Sequence, residues 1–234
     1  MHKISAEITE IFSSIQGEGL FVGAKQIFVR FKDCNISCGF CDEAKDARGK
    51  AYMPAELVNE IRRLTEQNGM HHSISLTGGE PLCYTNFLSH FLPLLHKDSG
   101  KSYLETNGTL PDELSRIIDL IDIIAMDIKL PSSTGGRAFW KEHLEFLKIA
   151  SKKMVFLKAV VTPETTSGDI RRAVSLIRSL SKNIPFILQP VTPVKVSDKR
   201  IDKETLLEFL EIGIENKLEC IRVIPQTHKM MGMR

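Results

Sequence analysis

Three cysteines within eight positions form the most chemically suggestive stretch of the chain. Cys34, Cys38 and Cys41 follow a segment with a strand-like sequence, whereas Cys83 and Cys220 stand alone. Thiolates are the ligands that zinc ions and iron–sulfur clusters select. A structural zinc site normally has four protein ligands, but three thiolates leave one metal position open. The spacing therefore predicts a metal-cluster loop with an open coordination position suited to catalysis.

The three cysteines could also have a role without catalysis. They could be buried and inert, or they could form a zinc knuckle completed by a distant histidine, and both alternatives stay open at this point. A disulfide framework fits less well, because the number of cysteines is odd and the chain is far longer than a stapled mini-domain. The first sixteen residues also lack the apolar segment of a signal peptide, so we expect a reducing, cytoplasmic location.

Two glycine-rich turns carry carboxylates and could accommodate a ligand. The first is Gln16-Gly17-Glu18-Gly19, and the second is Thr77-Gly78-Gly79-Glu80-Pro81. The second turn lies between a predicted strand and a predicted helix, where parallel α/β proteins bind their ligands. Arg30, in the strand that leads to the cysteines, is either a solvated edge residue or the partner of a buried anion.

An alternation of strands and helices must position these residues. Residues 4–24 are predicted as a short strand and a loop, and residues 43–52 as a polar stretch. Strand and helix then alternate at least six times, which predicts parallel strands with right-handed crossovers and an α/β fold, a partial (β/α)6-type barrel with outer helices. The predicted strands are 26–32, 73–76, 102–105, 123–126, 155–161, 186–189 and 220–224. The predicted helices are 54–68, 86–96, 112–120, 139–150, 167–180 and 204–214.

Length and composition indicate an ordinary globular protein. The 234 residues are 42% hydrophobic and 26% charged, with a formal net charge of +2 at pH 7, and they fit a single domain over 1–234. This charge shows no excess of basic residues of the kind that nucleic-acid binding requires. No apolar run approaches the ~20 residues of a membrane span. We therefore expect no nucleic-acid partner and no membrane partner.

Several motifs together resemble a known enzyme family. The three-cysteine loop with Gly78-Gly79-Glu80-Pro81 resembles the radical S-adenosylmethionine (SAM) superfamily, which implies a radical SAM barrel. A narrower resemblance, from about residue 7 to the last residue, is to the 7-carboxy-7-deazaguanine synthases. It is carried by Phe12–Gly19, Phe28–Phe31, Leu76–Pro81, Glu105–Gly108 and Pro225–Lys229.

This resemblance implies a lyase of queuosine and deazapurine biosynthesis. The family contracts the ring of 6-carboxy-5,6,7,8-tetrahydropterin to give 7-carboxy-7-deazaguanine with loss of ammonia. Its cofactors are a [4Fe–4S] cluster, SAM and Mg²⁺, and SAM cleavage gives a deoxyadenosyl radical that removes hydrogen from C6 of the pterin. A flavodoxin-type electron donor and a homodimer are also implied.

The resemblance also implies roles for individual residues. Cys34, Cys38 and Cys41 would ligate the cluster in a loop over 34–50, and a tail over 225–234 would close the pocket. Residues implied at SAM are Phe40, Cys41, Asp42, Gly78, Gly79, Glu80, Thr106, Asn107, Asp127, Ile128, Lys129 and Gln189. Residues implied at the pterin are Ile15, Gln16, Gly17, Glu18, Arg30, Thr77, His228 and Arg234, with Arg30 as the partner of the substrate carboxylate.

One position departs from the family pattern. The residue after Cys41-Asp42 is usually Thr or Ser, whose hydroxyl ligates Mg²⁺, but here it is Glu43. A carboxylate is also a hard oxygen ligand, although without the metal it would repel the substrate carboxylate. Our hypothesis is that Glu43 keeps the Mg²⁺ site, and the alternative is a related heterocyclic substrate.

Two further classes of function stay open. One is a radical SAM activase that generates a glycyl radical on a partner protein, and the other is a non-catalytic metal-binding protein. An activase must admit a polypeptide loop, so it has no reason for the Gln-Gly-Glu-Gly and Pro-Gln-Thr-His-Lys segments. SAM cleavage would exclude the non-catalytic protein.

Overall fold

A nine-stranded sheet organises the computed structural model, which describes residues 4–41, 47–193 and 199–233. The strands are Ala6–Ile15 (β1), Lys25–Phe31 (β2), Lys50–Tyr52 (β3), Ser73–Gly78 (β4), Ser102–Thr106 (β5), Ile123–Asp127 (β6), Met154–Val161 (β7), Phe186–Pro190 (β8) and Ile221–Val223 (β9). The helices are Pro54–Asn68 (α1), Thr85–Lys97 (α2), Pro111–Ile117 (α3), Pro131–Thr134 (α4), Trp140–Ala150 (α5), Ser167–Arg178 (α6), Lys203–Glu215 (α7) and Thr227–Met230 (α8).

The strand order shows a partly closed barrel with one antiparallel edge. The order is β3-β1-β2-β4-β5-β6-β7-β8-β9, and each neighbouring pair from β2 to β9 is parallel. β1 runs antiparallel to β2 and to β3. The predicted partial barrel of parallel strands with outer helices is confirmed.

The antiparallel edge corrects the predictions for the first fifty residues. The expected short strand is a ten-residue strand, β1, and part of the expected polar stretch forms β3. Strand β3 is largely exposed, so its pairing with β1 buries no apolar run that would reveal a strand in the sequence. Short, polar strands are common at the edge of a sheet.

Successive side chains along the strands point alternately to a core beneath the helices and to the interior of the barrel. In β7, Leu157, Ala159 and Val161 belong to the core beneath the helices, whereas Phe156 and Lys158 point to the other side. Parallel strands buried on both faces are the reason why most of the predicted strands are apolar runs.

A short apolar segment closes the amino-terminal end of the barrel interior. The 3₁₀ turn Gly19–Phe21 places the ring centroid of Phe21 5.7 Å from that of Tyr103 and 6.2 Å from that of Phe156. Gly19 has φ +65°, and a side chain there would overlap the Phe156 ring, so this close approach requires glycine. We call the segment Gly19–Phe21 the plug. None of the helices in the part of the chain that the structure describes combines the length and apolar character of a membrane span.

Candidate active site

A cavity of about 1060 Å³ lies at the carboxyl ends of the parallel strands, where barrel enzymes carry their sites. Its walls combine the cysteine loop with turns that follow several strands. Predicted cluster and SAM residues on the walls are Cys34, Cys38, Cys41, Phe40, Gly78, Gly79, Thr106, Asn107, Asp127, Lys129 and Gln189. Predicted substrate residues on the walls are Ile15, Gln16, Gly17, Glu18, Arg30, Thr77 and His228.

Two of the predicted SAM residues lie behind the cavity wall. Glu80 is fully buried and accepts hydrogen bonds from Thr106 Oγ1 (2.9 Å) and from the backbone N–H of Asn107 (2.7 Å). Ile128 is buried, and its backbone N–H donates to the carbonyl of Lys158 (2.7 Å). Both residues support the wall instead of lining it. Asp42, Glu43 and Arg234 lie outside the described residues.

The cysteine loop is anchored by backbone hydrogen bonds. Gly39 N–H donates to the carbonyl of Thr134 (2.9 Å), and Cys41 N–H donates to the carbonyl of Cys38 (3.3 Å). No group of three His, Cys, Asp or Glu residues within 4–41, 47–193 and 199–233 could bind a single metal ion. The thiolates of an iron–sulfur cluster bind different iron atoms and need not converge on one point. Cys34, Cys38 and Cys41 can therefore serve as ligands of a cluster without converging on one point.

The second glycine-rich turn is packed tightly against the end of β2. Gly78 has φ +107°, and a side chain on Gly78 or Gly79 would overlap the backbone of Phe31 or Asp33. Hydrogen bonds join Gly79 N–H to the Phe31 carbonyl (2.8 Å) and Glu80 N–H to the Asp33 carbonyl (2.7 Å). These glycines thus hold the turn beside the cysteine loop, in addition to any contact with a ligand.

The floor of the cavity holds a network of buried charges. Lys158 Nζ forms an ion pair with Glu18 and lies 3.8 Å from Asp127 Oδ2, which Lys129 Nζ contacts at 2.9 Å. Gln226 Nε2 donates to Glu18 Oε1 at 2.8 Å. Lys158 links residues predicted at the substrate to residues predicted at SAM.

Electrostatics keeps the floor charges ionised despite their burial. Burial opposes the charged form of Glu18, but the charge of Lys158 and hydrogen bonds from Gln226, Lys158 and Gln189 lower its pKa to about 2. Burial likewise disfavours the charged form of Lys158, but the carboxylates of Glu18, Asp127 and Glu105 raise its pKa. Glu18 and Lys158 therefore stay charged across the physiological pH range.

Sequence reasoning missed Lys158, Gln226 and Glu105 as site residues. Lys158 lies inside the apolar run of β7, and only its alternation with Leu157 and Ala159 indicates an interior position. Its partner Glu18 is 140 residues away, a pairing that no local pattern reveals.

Polar groups from β2, β4, β5 and the residue after β1 form a hydrogen-bonded group beside the cavity, and Gln16 and Glu105 line its wall. Gln16 Nε2 lies 3.0 Å from both Gln26 Oε1 and Glu105 Oε1, and Ser75 Oγ donates to Glu105 Oε1 at 2.8 Å. Glu105 is a half-buried carboxylate on the cavity wall. It offers a hydrogen-bond acceptor to a ligand with amino or ring N–H groups.

Arg30 is a partly buried cation on the cavity wall. Its Nε lies 3.2 Å from Glu10 Oε2, and its guanidinium lies 5.8 Å from the centroid of the Phe12 ring. The side chain is 22% exposed. It is therefore neither fully solvated nor fully buried, and a guanidinium in this position can bind an anion in the cavity.

The carboxyl-terminal segment forms one wall of the cavity. Thr227 N–H and Oγ1 donate to the carbonyl of Gly17 at 3.0 and 3.2 Å. His228 packs against Gly17 so closely that a side chain at that position would overlap the imidazole ring. Met233 N–H donates to the carbonyl of His228 at 2.9 Å. The described part of the tail thus lies against the first glycine-rich turn.

Known proteins match this chain over nearly its whole length. The Radical SAM superfamily matches residues 28–177. A 7-carboxy-7-deazaguanine synthase of Geobacter sulfurreducens is 39% identical with 99% of each chain covered, and that of Methanothermobacter thermautotrophicus is 35% identical with 98% of each covered. The crystal structure of QueE from Escherichia coli shares the fold, with a TM-score of 0.65, 22% identity, and 95% of this chain and 94% of that chain covered. The chain therefore belongs to the 7-carboxy-7-deazaguanine synthase family of the radical SAM superfamily.

Proposed function

We propose that the chain is a radical SAM lyase that converts 6-carboxy-5,6,7,8-tetrahydropterin to 7-carboxy-7-deazaguanine with loss of ammonia. The relatives' names give the product of this reaction, 7-carboxy-7-deazaguanine. The observation that supports it most is the cavity itself, whose walls join Cys34, Cys38 and Cys41 to a carboxylate, Glu105, and a guanidinium, Arg30. A substrate with both N–H donors and a carboxylate fits that pair of groups.

The residues present fit two of the family's cofactors, a [4Fe–4S] cluster and SAM, and the predicted ligand of the third, Mg²⁺, is Glu43, outside the described residues. Three thiols on one anchored loop suit the cluster. Two buried oxygens on the adjoining wall, Asp127 Oδ1 and Gln189 Oε1, have no hydrogen-bond partner among the described residues. Buried polar atoms rarely remain unpaired, so these acceptors suit the amino group and hydroxyls of SAM.

In this proposal the protein binds, orients and encloses the reactants. Cys34, Cys38 and Cys41 hold the cluster, which with SAM bound supplies a hydrogen-abstracting radical by one-electron cleavage. Asp127 and Lys129 position SAM. Phe40 lies beside them, with its ring centroid 5.4 Å from Lys129 Nζ.

The substrate groups occupy the opposite side of the same cavity. Glu105 accepts hydrogen bonds from the amino-pyrimidine edge of the pterin, and Gln16 holds Glu105 in place through the 3.0 Å contact. Arg30 binds the pterin carboxylate. Glu18, ionised and fixed by Lys158, sets the position of the turn that carries Gly17. This arrangement orients the pterin between the cluster loop and the carboxyl-terminal wall.

Anaerobic reconstitution tests the function. Protein reconstituted with iron and sulfide is supplied with SAM, a low-potential reductant and the carboxypterin, and the products are separated by chromatography. We expect deoxyadenosine together with 7-carboxy-7-deazaguanine, and no product from a Cys38→Ala variant. Deoxyadenosine without a deazaguanine would indicate an activase or another substrate. Absence of both from protein with a full complement of iron would contradict an enzymatic function.

Mg²⁺ dependence tests the assignment of Glu43. Removal of Mg²⁺ with EDTA is expected to lower turnover on the order of tenfold or more, because uncompensated carboxylates would repel each other. A Glu43→Thr variant should keep the dependence but need on the order of tenfold more Mg²⁺, since one ligand charge is lost. Turnover measured against free Mg²⁺ gives both values. Identical curves for the two proteins, or turnover that is indifferent to EDTA, would contradict this role.

We further propose one domain over 1–234, a cytoplasmic location, a flavodoxin-type electron donor and a homodimeric assembly. The single sheet, which contains all nine strands of the described residues, supports one domain. Size-exclusion chromatography with light scattering tests the dimer, and reduction of the cluster by a flavodoxin with its reductase tests the donor.

A further inference from the structure

Three polar side chains form a closed hydrogen-bonded cycle beside Cys34. Asn107 Nδ2 donates to Asn35 Oδ1 (2.9 Å), Asn35 Nδ2 donates to Thr109 Oγ1 (2.8 Å), and Thr109 Oγ1 donates to Asn107 Oδ1 (2.6 Å). Each group acts as a donor to the next, so the cycle has one direction. Asn107 and Thr109 are almost completely buried.

The cycle fixes which end of the Asn107 amide faces the cysteine loop. Asn107 Oδ1 also accepts from the backbone N–H of Thr109 at 3.0 Å, so the oxygen must point to Thr109. The Nδ2 atom therefore points to the loop, where it lies 3.9 Å from Cys34 Sγ. One of its two hydrogens is used by Asn35, and the second is available to the sulfur.

The backbone of Asn107 is held equally firmly. Its N–H donates to Glu80 Oε2 at 2.7 Å, and its carbonyl lies 3.1 Å from His143 Nε2. His143 is completely buried, and burial lowers its pKa to about 4, so the neutral ring donates through Nε2–H to this carbonyl. Glu80 and His143 thus hold the side chain of Asn107 at a fixed distance from Cys34.

We propose that Asn107 is a positioning residue that directs an amide N–H at Cys34 Sγ and thereby raises the reduction potential of the cluster. The inference rests on the proposed role of Cys34 as a cluster ligand. Reduction adds negative charge to the cluster, and hydrogen bonds to its sulfur ligands stabilise the reduced form more than the oxidised form. Within the cycle the amide directs its second N–H at the cysteine, a role that comes in addition to the contact with SAM that the family resemblance implies.

The test is the midpoint potential of the reconstituted cluster, measured by anaerobic titration with EPR detection and without SAM or substrate. Asn107→Leu keeps the side-chain size and removes both the donor and the acceptor. We expect its midpoint to be more negative, so that the ratio of reduced to oxidised cluster at a fixed potential falls about three- to tenfold, because the midpoint reports only the part of the hydrogen-bond energy that is gained on reduction. Thr109→Val leaves the amide in place but opens the cycle, and it should give a smaller shift in the same direction.

Exchangeable deuterons provide a second measurement that a general structural defect would not reproduce. In D₂O, the wild-type reduced cluster should show deuteron coupling in pulsed EPR that is weaker in Asn107→Leu. Asn59→Leu, on the exposed face of α1, is the matched control and should change neither quantity.

Iron content separates the two levels of the proposal. If Asn107→Leu and the wild type both held full clusters and had equal midpoint potentials, the role of Asn107 would be overturned. If Cys34→Ala protein held an unchanged cluster, the assignment of Cys34 as a ligand would be overturned.

Discussion

Replacement of Lys158 by methionine should lower the free energy of unfolding by about 3–5 kcal/mol at neutral pH, the range expected when one member of a buried ion pair is removed. Methionine preserves the length of the side chain but leaves Glu18 and Asp127 without their shared cation. Glu18 and Lys158 side chains are only 17% and 11% exposed, so water cannot replace the missing charge. Urea titration of the reconstituted protein under anaerobic conditions measures the loss.

The pH dependence of the stability loss in Lys158→Met tests whether the unpaired charge of Glu18 causes it. The pKa of Glu18 is lowered from 4.5 to about 2, so its ionised form stabilises the fold above about pH 4.5, and this contribution is lost as the pH falls towards 2. The difference between wild type and Lys158→Met should therefore be largest at neutral pH and shrink below pH 4.5. A double variant with Glu18→Gln should recover part of the stability, because the unpaired charge is gone. A loss under about 1 kcal/mol, or one that does not depend on pH, would contradict the role of this pair.

Replacement of Arg30 by methionine should lower kcat/KM for the carboxypterin by about 10²–10⁴-fold, because a forked guanidinium makes two hydrogen bonds to a carboxylate. Each bond to a charged group contributes about 1.5–3 kcal/mol. Most of the change should appear in KM, because the carboxylate is bound alike in the ground state and the transition state. Initial rates of deazaguanine formation at saturating SAM measure both constants.

Two control variants separate the substrate from the protein's own contacts. Arg30→Lys keeps the charge but loses the fork, so it should lie between Arg30→Met and the wild type. Glu10→Gln removes the carboxylate 3.2 Å from Arg30 Nε and should leave kcat/KM within about threefold, since Glu10 is 40% exposed. If Arg30→Met had the wild-type KM, Arg30 would not bind the substrate carboxylate.

The parallel part of the fold could be predicted closely from the amino-acid sequence. Strands such as β4, β6 and β7 are short apolar runs followed by glycine or polar residues, and that pattern is strong when both faces of a strand are buried. The same rule brings the polar strand ends to one cavity, because parallel strands place their carboxyl ends at one edge. The edge strands β1 and β3 lack this pattern, so their extent could not be predicted.

The site could be predicted only as far as its motifs extend. Glycine turns and cysteines are local signals, so the cluster loop and Gly78-Gly79 could be found without coordinates. The partners of Glu18 and Asn107 depend on long-range contacts. Lys158 is 140 residues from Glu18, and Asn107 is 72 residues from Asn35. Such pairs follow from how the strands are placed around the barrel, and no pattern within a short window encodes them.

The plug closes one end of the barrel in the part of the chain that the structure describes. Phe21, Tyr103 and Phe156 seal the end of the barrel that lies below the charged floor. We expect reactants to arrive, and ammonia and the heterocycle to depart, at the opposite end, which the carboxyl-terminal wall borders. Gly17 and Glu18 directly precede the plug in the chain. A shift of the floor at Glu18 would therefore disturb the packing of Phe21 against Tyr103 and Phe156. Substrate entry and product release are therefore expected to share the end of the barrel that His228 borders.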